Sequence, residues 1–135
     1  MHGKLQSIYE NALFIMADNF LKDYHGGHWA KRKVKLFGGF FWYLKEKGKF
    51  NVSTAGGNFA ENVTAEFAGL VLSFQALHYI LEKVAQNDGY ELYKGFFVKI
   101  NEADYKYILN LIESLKDYAA NKGGKFAQEF FKIID

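Results

Sequence analysis

His25, His28, His78 and the cationic run Lys31-Arg32-Lys33-Val34-Lys35 are the residues whose types and spacing bear most directly on chemistry. His25 and His28 stand three apart beside Asp23, which looks like half of a metal site. A zinc-like ion needs three or four such ligands, and no clear third one stands nearby. Both therefore read as solvated histidines of a glycine turn, and neither a metal nor a cofactor is expected. His78 falls between Leu77 and Tyr79 with no serine or aspartate at a recognisable motif distance. It reads as a core-edge histidine hydrogen-bonded to a neighbour, not as a catalytic base. Gly-x-Ser-x-Gly, His-Glu-x-x-His and Walker patterns do not occur. Gly38-Gly39 and Gly56-Gly57 lack the lysine and hydroxyl residue of a phosphate loop, and Glu61 and Glu66 form no recognisable acid–base pair. No catalytic residue is expected, and the chain does not read as an enzyme.

The cationic run is the better candidate for contact with a partner. Net charge is +2, but from Lys22 to Lys49 eight basic residues face two acidic ones, so that segment carries +6 and the rest −4. On a strand, Lys31, Lys33 and Lys35 point the same way, and a row of cations beside Trp29 is suited to a phosphate backbone. A solvated strand kept from edge-to-edge aggregation by its lysines accounts for the same residues. Trp42 and Tyr43 read as core.

One domain is expected from 135 residues, half of them apolar and nearly a fifth aromatic. The absence of cysteine excludes disulfides and thiolate metal sites, and together with the lack of a secretory signal it points to a cytoplasmic protein. No window approaches the roughly 18 apolar residues that span a bilayer, so no membrane is expected as partner.

The elements that must position these residues follow from periodicity. Leu5, Ile8, Ala12, Ile15, Met16 and Phe20 predict an amphipathic helix from Lys4 to about Tyr24. A strand from Trp29, a turn near Phe37-Gly38-Gly39 and a second strand through about Lys45 come next, and Phe50 to Thr54 reads as a third. Ala55 to Val63 is a fourth short strand or a loop. Thr64 is placed as N-cap of a broadly apolar helix from Ala65 to about Gln86, with Ala68 and Gly69 small because another backbone passes close. Glu91 to Val98 reads as a short helix, Asn101 caps the next, and Phe126 to Ile134 forms the last. The expected fold is α+β: a single domain with a small antiparallel sheet of three to four strands, packed against a central buried helix, with N- and C-terminal helices.

Four stretches in order carry a resemblance. Tyr24-His25-Gly26-Gly27-His28-Trp29, Gly38-Gly39-Phe40-Phe41, Thr64-Ala65-Glu66-Phe67-Ala68-Gly69-Leu70-Val71 and Phe131-Lys132-Ile133-Ile134-Asp135 together resemble the ArdB/KlcA antirestriction family. The resemblance covers about Tyr24 to Asp135. It implies a small cytoplasmic α+β protein of mobile genetic elements that relieves type I restriction-modification of incoming DNA, its partner being the host restriction machinery, directly or indirectly. The family pattern carries no catalytic residues onto this chain; its glycines and aromatics fall on Tyr24, Gly26, Gly27, Trp29, Gly38, Gly39, Phe40 and Phe41. The chain departs from the pattern at Lys31-Arg32-Lys33, where aromatic residues are more usual. DNA mimicry is excluded by charge, because it needs about one negative charge per 1.7 Å of duplex axis and this chain carries net +2. The alternative is a small basic-faced accessory protein of a mobile element in weak contact with DNA. Neither reading fixes an oligomeric state.

Overall fold

Apolar residues spaced three and four apart bury one side of the first helix, α1 (Gly3–Phe20), through Leu5, Ile8, Tyr9, Ala12, Leu13, Met16 and Ala17. The computed structural model describes residues 3–135. After α1 come β1 (Trp29–Lys33), a 3-10 turn (Leu36–Gly38), β2 (Phe40–Leu44), β3 (Phe50–Ser53), β4 (Phe59–Val63) and α2 (Ala65–Asn87). The chain continues through β5 (Tyr90–Tyr93), β6 (Phe96–Val98), α3 (Glu102–Lys122) and α4 (Gly124–Ile133). The protein is α+β, and no described helix is long and apolar enough to cross a membrane.

The centre is α2. Thr64 caps it as expected, its hydroxyl accepting from the Phe67 amide at 3.1 Å, and Glu66 lies in the positive first turn. Its apolar stripe is wide enough to meet α1, β2, α3 and α4. Asn101 caps α3 in a reciprocal box with Asp104, each accepting from the other's backbone amide.

The expected sheet of three to four strands does not form. Among the described residues the strands pair as three separate antiparallel hairpins: β1 with β2, β3 with β4, and β5 with β6. The outer edge of β2 shows why. There the Trp42 amide donates to Ser73 Oγ at 2.9 Å, the Ser73 hydroxyl lies 3.4 Å from the Trp42 carbonyl, and the Tyr9 hydroxyl donates to the Phe40 carbonyl at 2.9 Å. These are the backbone groups a third strand would use, and side chains of α1 and α2 already occupy them. Helix α2 reaches the strand because residue 69 is glycine; a Cβ there would overlap the Trp42 carbonyl oxygen and lie 2.7 Å from Tyr43 Cα. The close approach read at Gly69 from sequence is this contact. Strand β3 is diverted to β4 and meets the end of α1 through a bridge between Leu21 and Val52.

Residues 91–98 correct a second expectation. They form the β5–β6 hairpin and not a short helix, with Tyr93 opposite Phe96 around Lys94-Gly95. Gly95 takes φ +79°, and its amide donates to the Glu91 carboxylate at 3.0 Å, so the turn is closed from inside the hairpin. Helix α1 also ends earlier than expected, because the Lys22 amide turns away to the Asn51 carbonyl at 3.1 Å.

Candidate functional site

Strand pairing keeps Lys31 and Lys33 on one face, as the alternation predicts, but leaves Lys35 outside the strand. Lys31 lies opposite Trp42 and Lys33 opposite Phe40, whereas Arg32 lies opposite Phe41 and shares the other face of the hairpin. Lys35 has left the strand, which ends at Lys33; its backbone is helical (φ −72°, ψ −47°) and it opens the 3-10 turn. The expected row of Lys31, Lys33 and Lys35 is therefore broken. The physical cause is the loop base, where the Val34 amide donates to the Gly39 carbonyl at 2.9 Å and turns the chain at once.

Each cation has different surroundings. The Lys31 ammonium stands 5.2 Å from the Phe40 ring and 5.4 Å from the Trp42 ring, so it caps the aromatic core with its charge outward. Arg32 reaches toward Glu66 at 3.8 Å, and Lys122 from the end of α3 meets the same carboxylate at 3.0 Å. The Tyr118 hydroxyl donates to Glu66 at 3.1 Å, and the Tyr118 ring packs on Phe41. Burial, and then the Glu66 carboxylate, raises the Tyr118 pKa; the hydrogen bond to Glu66 raises that of Lys122. Lys33 and Lys35 enter no ion pair among the described residues.

These residues line a cleft of about 480 Å³ between the β1 end and the last turns of α3, formed by Arg32, Lys33, Lys35, Tyr118, Asn121 and Lys122. Asp117 is its acidic member, and the Asn121 amide holds it at 3.0 Å. Beside the cleft the 3-10 turn exposes Leu36 and Phe37, 36% and 55% accessible. Sequence reasoning found Lys33 and Lys35 but missed Lys122, Tyr118 and the role of Glu66, which lie far along the chain from them. It also missed Phe37. The Phe-Gly-Gly turn was its one available signal.

Glu66 is the carboxylate that holds two cations of the cleft together. Glu66→Gln is expected to cost about 1 kcal/mol, at the low end because Lys122 and Arg32 are exposed. Lys122 has a folded pKa raised above its unfolded value, so its share of stability is present below about pH 10.5 and is lost as pH rises through the folded value. Urea midpoints of the two proteins should thus differ at pH 7 and converge in strong alkali; a constant gap would show that Lys122 is not held by Glu66.

The remaining residues singled out from the sequence lie in the core, in turns or at the surface. Trp29 Nε1 donates to the Tyr24 hydroxyl at 3.1 Å, with the rings edge to face at 5.9 Å. Gly26 and Gly27 make the exposed turn between them, Gly38 adopts φ +60°, and Gly39 packs against Ser114 of α3. Phe40, Phe41 and Trp42 are core, as expected of Trp42, while Tyr43 is half-buried. His25 and His28 are exposed, and no group of three or more potential metal ligands converges among the described residues. His78 is exposed, with its ring tilted against Phe74 at 4.7 Å; among the described residues its side chain makes no hydrogen bond, contrary to expectation. Partial desolvation of the ring, then the Lys116 charge, lowers its pKa. It borders an open cavity of about 580 Å³ whose wall is mainly the apolar Ile15, Met16, Phe74, Tyr79 and Ile134, with Glu82 and Asp135 also on its lining.

Compared with known proteins, the chain matches no family model and no curated protein.

Proposed function

We propose that this protein works by binding and not by catalysis, as an antirestriction protein of the ArdB/KlcA type. On this reading it relieves type I restriction-modification of incoming mobile DNA in the cytoplasm, through contact with the host machinery or its DNA and without imitating DNA. The observation that carries the reading is the ordered set of motifs from Tyr24 to Asp135, in a chain of net charge +2. The basic cleft between Lys35 and Lys122 supports a contact surface. The test is phage plating on cells with an active type I system, with and without this gene. Unmodified phage should plate more efficiently when the gene is present; equal efficiency would remove the reading.

A second reading, a small nucleic-acid-binding accessory protein, draws on the same cleft. It requires DNA affinity that weakens steeply with salt.

A further inference from the structure

Phe37 is an outlier that the fold does not account for. It is a bulky residue with left-handed backbone (φ 59°, ψ 16°), followed by Gly38 at φ +60°, and its side chain is 55% exposed. A non-glycine residue in that conformation is disfavoured, and an aromatic ring left in water adds no burial to offset it. The loop is nevertheless held firmly. Its base is closed by the Val34–Gly39 hydrogen bond at 2.9 Å and by the Gly39 amide on the Leu36 carbonyl at 3.2 Å, with Val34 buried and Gly39 seated on Ser114. A rigid loop therefore presents Phe37 outward, beside Lys35 and Lys33, which have no carboxylate partner among the described residues.

We infer that this loop and the cleft beside it bind single-stranded nucleic acid, with Phe37 stacking on a base and Lys33 and Lys35 contacting phosphates. The inference rests on the reading that the basic face is the working surface, and it names the partner of that face. An exposed ring within two residues of an unpaired cation is the arrangement that single strands require, since every base has a face and every nucleotide a charge. In a duplex the base faces are already stacked. Phe37 would then have only a wedge role, and a concave patch of about 480 Å³ takes a few nucleotides, not a groove. Arg32 and Lys122 raise the local potential while remaining tied to Glu66. The carbonyl end of α3 opposes an anion, and Lys122 stands on that last turn, which leaves the Lys33–Lys35 side as the phosphate side. An acidic peptide would use the cations and leave the ring unexplained.

The test is fluorescence anisotropy of the full chain with labelled oligothymidylate, a duplex of equal length and anionic vesicles, across a range of salt. Single strand is expected to bind most tightly, with log affinity falling against log salt with a slope of about −1.4 for two phosphates. Phe37→Asn, which tolerates the left-handed backbone and removes the ring, should weaken binding about 5- to 150-fold, and Phe37→Trp should restore it. Lys33→Ala and Lys35→Ala should each flatten the slope by about 0.7. No binding of oligothymidylate, tighter binding of duplex or vesicles, or Phe37→Asn binding like the parent would each overturn the inference. Phage protection without oligonucleotide binding would overturn it and leave the antirestriction reading standing; oligonucleotide binding without protection would do the reverse.

Discussion

Gly69→Ala is expected to destabilise this protein by about 1–3 kcal/mol, and Gly69→Val by more, enough to unfold a domain of marginal stability. The sign is the informative part. Residue 69 lies inside a helix, where alanine is intrinsically better than glycine by about 0.8–1.0 kcal/mol, so a position free of tertiary contact would gain from the change. Here the added methyl meets backbone, the Trp42 carbonyl and Tyr43 Cα, and backbone cannot rotate away as a side chain can. Helix α2 must then retreat from β2, which stretches the Ser73 bonds to Trp42 and uncovers buried backbone groups. Urea denaturation followed by far-UV circular dichroism measures this. A stabilised Gly69→Ala variant would show that α2 does not rest on β2 in this way.

Alkali is expected to weaken the fold progressively from about pH 10 upward, through tyrosines whose protons the fold retains. Burial raises the pKa of both Tyr9 and Tyr90 far above the ordinary value of 10. The unfolded chain begins to release these protons near pH 10 while the folded chain keeps them, so the stability is fully present below that pH. Above it, about 1.4 kcal/mol is lost per pH unit for each tyrosine held neutral. Tyr9 is the stronger case, because it is fully enclosed and its hydroxyl donates to the Phe40 carbonyl. Tyr9→Phe should cost about 1–3 kcal/mol at neutral pH, by leaving that buried carbonyl unpaired. The same change removes one alkaline-sensitive proton. Urea midpoints of the two proteins should therefore approach one another between pH 9 and 11, and parallel curves would show that Tyr9 ionises freely in the folded state.

Both predictions concern the edge of β2, and this edge marks how far the sequence could be read. Gly69 was recognised as a close approach from its place in an otherwise apolar helix, but nothing local named the strand it approaches. Tyr9 and Ser73 lie within helices, and nothing local shows that their hydroxyls end the sheet at two strands. Residues 91–98 show another limit: a short apolar run fits a helix turn or a strand equally well by periodicity, and the hairpin was decided by Gly95 and the Glu91 carboxylate. In the candidate site, the alternation of the cationic run was legible and its division between two faces followed from it. That Lys35 leaves the row did not, because the break is made by a hydrogen bond from Val34 to Gly39.

Residue order alone was enough for the α+β class, for α2 and α3 with their caps at Thr64 and Asn101, for the β1–β2 hairpin and for a net charge of +2 with its positive excess concentrated between Lys22 and Lys49. Those features depend on side-chain period, on groups a few residues apart or on summed charge, all of which are local or additive. The tertiary structure decided which edges pair, which cations meet Glu66, that Lys33, Lys35 and Lys122 line one cleft, and that Phe37, two residues from Lys35, stands exposed. Such features are set by contacts between residues distant in the chain, where a hydroxyl or a missing methyl determines how closely two backbones come together.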